Sequence, residues 1–273
     1  PLRSTPNKVS HMHKVSGRWK LGLMLALVTA LSWGVLPVAL KLVLDGMDAY
    51  TVSWYRFAAA GAVLFGIMAA TRQLPSLRGA GRRVWLLLAV ALAGLLGNYV
   101  LYLLSLNHTT PAVAQVVIQL GPMFFLLGGL VIFRERFSFF QWVGFATLIT
   151  GLGLFFNRRL PLLLDLSQGT GLGVLLMVFA ALTWAGYALA QKQLLKKLGS
   201  QQILLLIYIG AAVALLPATR LHTITQLTAL QGWMLAFACA NTLIAYGAFA
   251  EALEHWEVSR VSAVLAVTPL FTL

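Results

Sequence analysis

The sequence is dominated by apolar runs of about twenty residues, at 21–44, 51–70, 84–106, 112–133, 138–157, 170–190, 202–217 and 231–252, with a ninth opening near 258. About twenty apolar residues are what a helix needs to cross a hydrocarbon core roughly 30 Å thick. The gaps between the runs leave no room for a soluble domain. Lipid offers no water to bond a bare peptide group, so the runs must be helices that satisfy their own backbones. The fold class is therefore all-α integral membrane, and any site has to be assembled from helices and their ends.

Charge sets the orientation. The chain carries a net +13 although only 10% of its residues are charged. In a soluble protein that excess would point to nucleic acid. Here the basic residues sit mostly in short gaps between apolar runs, where topology and lipid head groups account for them, and no nucleic-acid partner is expected. With residues 1–20 inside, the inner segments hold fourteen Lys/Arg, including five in the tail, Arg82, Arg83, Lys196 and Lys197, against four outside, Lys41, Arg158, Arg159 and Arg220. The positive-inside rule then places the amino terminus in the cytoplasm, although the Arg158–Arg159 pair points the other way locally. Residues 1–20 read as a polar cytoplasmic tail, in which "SHM" at 10–12 also fits a cloning remnant. The apolar stretch that follows runs on to Leu44, too long for the roughly 7–15 residues of a signal-peptide core.

The chain also repeats itself. At an offset of 147, "LNHTTPAVAQVVIQLGPMFFLL" lies over "LEHWEVSRVSAVLAVTPLFTL", matching His108 to His255 and Pro122 to Pro269. At an offset of 151, "ALSWGVLPVALK" lies over "ALTWAGYALAQK", matching Trp33 to Trp184 and Lys41 to Lys192. Two ordered blocks at nearly equal offsets indicate a duplication. A first copy of five helices is odd in number, so the second must enter the membrane upside down. Inverted repeats mark secondary transporters, with the solute site near the midplane between the copies.

"ALSWG" followed by Lys41, "WYRFAAAG", and above all "YLLSLNHTTPAVAQVVIQLGPMFFLLGGLVIFRERFSFFQWVGFATLITGLGLFF" resemble the EamA branch of the drug/metabolite transporter superfamily, with its proline-bearing helix, an acidic turn (here Glu135) and a glycine-rich closing helix. The resemblance covers essentially everything after the tail. It implies ten helices in two EamA repeats, here 21–157 and 170–273, and export or exchange of small metabolites, often amino acids, across a bacterial inner membrane. The second copy departs from that pattern in lacking an acidic turn and a tenth helix. Its last run, "AVLAVTPLFTL", reads as the first two-thirds of a ninth helix, with a further 30–35 residues or so expected from the repeat.

Polar side chains are costly in lipid and face a cavity or a partner helix. Asn98, Tyr102 and Ser105 share one face of the third helix, Gln115 and Gln119 one face of the fourth, and Trp184, Tyr187 and Gln191 one face of the sixth, while Tyr99 matches Tyr246 across the repeat. Together with Trp33 these form a candidate solute site of aromatics and amides. Interhelical packing explains each residue singly about as well, since such residues commonly glue membrane helices. Trp33 and Trp184 lie inside their helices, away from the interfacial belt that usually accounts for tryptophan. Pro122 and Pro269 each remove a donor within a helix and are hinge or gate candidates, or tolerated bends.

Among the charges, Arg56 either snorkels to the outer surface or pairs inside the protein, with snorkelling the plainer expectation. Lys41 and Lys192 end their helices, where a cation suits the helix dipole. Glu251, Glu254, His255 and Glu257 crowd one connection, reading as a solvated charged turn or, more sharply, as a proton relay through Glu251 and His255. No carboxylate lies near the centre of any run, which weakens proton-coupled efflux of cationic drugs and favours a neutral, zwitterionic or anionic solute. There is no HExxH, GxSxG or P-loop, and the lone Cys239 supports neither a disulfide nor a cysteine metal cluster, so no cofactor or metal is expected. The reading is a non-enzymatic carrier, expected as a monomer with a dimer left open. The alternatives are a non-transporting membrane subunit, an intramembrane enzyme or a drug-efflux pump.

Overall fold

The computed structural model describes residues 18–134, 139–157 and 169–272. The tail up to residue 17, Glu135 of the acidic turn and the Arg158–Arg159 pair lie outside the described residues. In the first copy the helices are α1 (Trp19–Leu44), α2 (Ala49–Ala70), α3 (Arg82–His108), α4 (Pro111–Val117), α5 (Leu120–Phe133) and α6 (Phe139–Asn157). The second copy supplies α7 (Thr170–Leu194), α8 (Ser200–Leu215), α9 (Ala229–His255) and α10 (Val258–Leu265), followed by a 3₁₀ turn, Thr268–Phe271. Seven spans, counting α4 and α5 together as one, are long and apolar enough to cross a membrane.

Local chemistry sets the helix starts. Asp48 caps α2, its carboxylate accepting from Tyr50 N and Thr51 N at 3.0 Å each. Thr110 caps α4 ahead of Pro111, whose missing N–H falls where no helical bond is due. Thr228 and Gln231 close a reciprocal capping box on α9. Elsewhere the helices present large apolar side chains outward, among them Leu31, Leu86, Leu182 and Val213, as a lipid-facing surface requires.

The sense in which helices pair fixes the architecture. Gln202 at the start of α8 donates to Gln73 O just past α2, and Arg220 N, past α8, donates to Thr51 Oγ1 at the start of α2. These two helices hold the same rank in the two copies and run antiparallel, so the copies are inverted. Cross-pairing follows the same rule. Gln231 of α9 reaches Leu42 O of α1, while Ser105 Oγ of α3 donates to Gly173 O of α7 at 2.6 Å.

Equivalent contacts recur across the duplication. A Cβ at Gly22 of α1 would stand 2.8 Å from Trp256 Cβ, and one at Gly173 of α7 would stand 2.5 Å from Thr109 Cγ2. Glycine is needed at both places because the chain that follows α9, or α3, crosses the helix at backbone distance. The two lysines also match. Lys41 Nζ donates to Leu106 O in the last turn of α3, and Lys192 Nζ donates to Leu253 O in the last turn of α9 and to Trp256 O at 3.0 Å. Besides meeting its own helix terminus, each lysine therefore ties down carbonyls at the end of a neighbouring helix, where four lack helical partners.

The expected single helix over 112–133 is interrupted. After Val117 the bonding switches to shorter steps, with Gln119 N on Val116 O at 3.3 Å and Gly121 N on Ile118 O at 2.8 Å, before α5 resumes. Pro122 therefore stands in the first turn of α5, where its lost donor costs nothing, and the carbonyl it cannot serve, Ile118 O, is taken by Gly121. The other copy breaks at the matching place. α10 ends at Leu265, Pro269 sits in the 3₁₀ turn, and Thr268 Oγ1 donates to Leu265 O at 2.6 Å. The breaks lie before the prolines, which mark them without bending a continuous helix.

Candidate functional site

Both breaks open onto one central cavity. α1 contributes Trp33, Leu36 and Leu40, spaced to share one helical face, and α3 contributes Asn98, Tyr99 and Tyr102. The α4–α5 break supplies Gln115, Ile118, Gln119 and Pro122. Trp184 of α7, Tyr246 of α9, and Leu265 and Thr268 beside the second break complete the far wall, with Arg56 of α2 at its edge. The space open to the centres of water molecules is about 70 Å³, within about 610 Å³ free of protein atoms when the mouth is included. One water centre needs roughly 10–15 Å³, so several waters or a small solute fit.

Aromatic contacts build the walls. Trp33 and Trp184, equivalent across the repeat, meet edge to face at 5.6 Å between ring centroids, and Trp33 lies 5.2 Å from Tyr246. Such pairs add about 0.5–1.5 kcal/mol beyond simple burial. The matched tyrosines Tyr99 and Tyr246 are 5.5 Å apart. Asn98 joins the copies, since its Nδ2 donates to Ala180 O at 2.9 Å and its Oδ1 accepts from the Tyr246 hydroxyl at 3.4 Å.

Arg56 does not snorkel. It is 3% exposed, its Nε donates to Thr242 Oγ1 at 3.0 Å, and its guanidinium carbon lies 4.1 Å from the Tyr99 ring centroid. The Tyr99 hydroxyl donates to the same Thr242 oxygen at 3.3 Å, and the Thr242 hydroxyl in turn donates to Ala238 O at 2.9 Å. A threonine hydroxyl holds one proton and two lone pairs, so Thr242 is fully used. The plainer expectation fails because α2 turns this face toward α9, where a threonine and an aromatic ring receive the cation inside the protein.

Two residues of the cavity lining carry a buried polar atom with no hydrogen-bond partner among the described residues, Trp33 at Nε1 and Gln119 at Oε1. Buried polar groups nearly always find one, and these two belong to side chains that border the void.

Other expected site residues stand elsewhere. Tyr187 is not on the lining; it is fully buried one layer back, 5.9 Å from Tyr246 and 6.3 Å from Phe249. Residues 184, 187 and 191 share one face of α7 but follow each other along the helix axis, and only Trp184 lies level with the void. Ser105 bonds Gly173 instead, and Pro269 stands behind Thr268. Glu251 and His255 lie at the end of α9, away from the cavity: His255 Nε2 is 3.4 Å from Glu251 Oε1, with the carboxylate side chain 38% exposed and the histidine 11%. Ser200 Oγ donates to Glu251 Oε2 at 2.6 Å. Glu257 and Arg260 pair at 3.0 Å, both about half exposed. Thr242 and Thr268 were not singled out from sequence, since a lone threonine in a helix carries no periodic signal.

Inverted, cross-paired copies with broken helices around a central void define a multi-pass membrane transporter. The chain belongs to the EamA-like transporter family, whose model matches residues 20–157 and again 171–273. It is 44% identical over 253 residues to a protein of Haemophilus influenzae described as an uncharacterized transporter, covering 93% of this chain and 82% of that one. An uncharacterized inner membrane transporter of Escherichia coli K12, YhbE, is 42% identical over 93% of this chain and 79% of its own. A probable amino-acid metabolite efflux pump of the same organism is 26% identical over 90% of this chain and 83% of its own. One solved crystal structure shares the fold, with a TM-score of 0.66 at 18% identity over 92% of this chain and 86% of that one.

Proposed function

We propose that the chain is a bacterial inner-membrane secondary carrier for small organic metabolites, exporting or exchanging them by rocking one copy against the other around the central cavity, with the amino terminus in the cytoplasm. The observation that carries this reading is the cavity itself: both copies line it, both helix breaks open onto it, and aromatic and amide side chains form its walls. Broken helices at matched positions are the usual way such carriers place backbone and side chains at mid-membrane. A relative described as an inner membrane transporter and another as a probable amino-acid metabolite efflux pump agree with the membrane and the solute class. Proton-coupled drug efflux is the poorer reading, because the described lining offers a cation and no carboxylate.

Purified protein in liposomes tests the proposal by counterflow of labelled metabolites. Trp33→Ala and Gln119→Ala are expected to insert and fold normally yet cut flux by about tenfold, in line with losing 1–2 kcal/mol of contact to a bound solute. Unchanged kinetics in both variants would move the site elsewhere, and absence of flux for every class of metabolite would remove the carrier reading.

A further inference from the structure

Arg56 is a buried cation whose environment is incomplete. A guanidinium carries five N–H donors. Among the described residues only Nε finds an acceptor, Thr242 Oγ1 at 3.0 Å, and the Tyr99 ring 4.1 Å away is the one other compensation. No carboxylate lines the cavity beside it, and the ion pairs of the described residues, His255–Glu251 and Arg260–Glu257, are elsewhere. With Nε turned to Thr242 and the plane held against Tyr99, the Nη1–Nη2 edge is what remains for the cavity. That edge is the fork that takes a carboxylate through two parallel hydrogen bonds.

We propose that Arg56 anchors the solute and that the carrier is selective for small organic monoanions, a single carboxylate on an apolar or aromatic body. The assignment rests on the carrier reading above. One cation in a site of low dielectric attracts one negative charge strongly and leaves a second uncompensated, which selects a monocarboxylate over a phosphate dianion. The body then lies among Trp33, Trp184, Tyr246, Leu36 and Leu265. A solute carrying only an ammonium would meet the Arg56 charge with no carboxylate to offset it.

Three probes with one ring and different head groups test this on the full chain in detergent, by calorimetry and thermal shift: phenylacetate, phenylacetamide and phenethylamine. Phenylacetate is expected to bind, with the other two at least about tenfold weaker. Arg56→Gln is expected to lose phenylacetate affinity by about tenfold or more, and Arg56→Lys, which keeps the charge without the fork, to fall between them. Equal binding of phenethylamine and phenylacetate overturns the proposal, as does unchanged affinity in Arg56→Gln or no binding of any probe by the unaltered protein. If Arg56→Gln fails to fold, the head-group ranking on the unaltered chain still decides. Flux of an uncharged or cationic solute alone sinks the anion assignment and leaves the carrier standing. Arg56-dependent binding of phenylacetate without flux of any solute does the reverse.

Discussion

Gly94→Val is expected to abolish a stable, monodisperse protein. A Cβ at Gly94 of α3 would stand 2.7 Å from Thr183 O and 2.8 Å from Tyr187 N, both backbone atoms of α7. Backbone cannot swing aside as a side chain can, so α3 and α7 must separate, and their contact is one of the two long cross-copy pairings. Overpacking a tight interior costs about 1–3 kcal/mol, with the upper end expected against backbone. Gly97, one turn on, provides the control: its Cβ would meet Thr183 Cγ2 at 3.4 Å, an ordinary contact, so Gly97→Ala should be tolerated. Fluorescence-detected size exclusion with a thermal ramp reads both. Equal midpoints for Gly94→Val and the unaltered protein would mean that the α3–α7 pairing is wrong.

Lys192→Met is expected to have the next largest effect. The ammonium is buried and holds Leu253 O and Trp256 O, carbonyls at the end of α9 that no helical N–H can reach. A hydrogen bond from a charged donor contributes about 1.5–3 kcal/mol, and methionine fills the space without replacing it. The measurement is the thermal midpoint together with flux. Lys41→Met, at the equivalent place in the other copy, should lose less, because Lys41 is only partly buried and, among the described residues, ties down Leu106 O alone. A Lys192→Met protein as stable and active as its parent would show that these carbonyls find other partners.

The spans were legible because hydrophobicity is a property of every residue in them; α1, α2 and α3 each begin two residues before the apolar run does. The duplication was legible because His108 and Pro122 have mates at one offset, 147, and Trp33 and Lys41 at a nearly equal one, 151. What sequence concealed were relations across the fold. The break at Ile118–Gln119 lies inside a run that is apolar apart from Gln115 and Gln119, and Pro122 hints at it only because proline suits the first turn of a helix. Arg56 looked able to snorkel because Thr242, its partner, is 186 residues away. Tyr187 looked like a lining residue because it shares a face of α7 with Trp184, whereas one turn further along that face the helix meets Tyr246 and Phe249 and not the void.

The central claim, that one cavity between inverted copies is exposed to the two sides of the membrane in turn, is tested most directly by labelling. In a Cys239→Ser background, Gln119→Cys places a thiol on the lining at the α4–α5 break. Vesicles of both orientations are treated with a small membrane-impermeant thiol reagent. The thiol is expected to react from either face and to be fully consumed from each. Reaction from one face only, however long the exposure, contradicts alternating access.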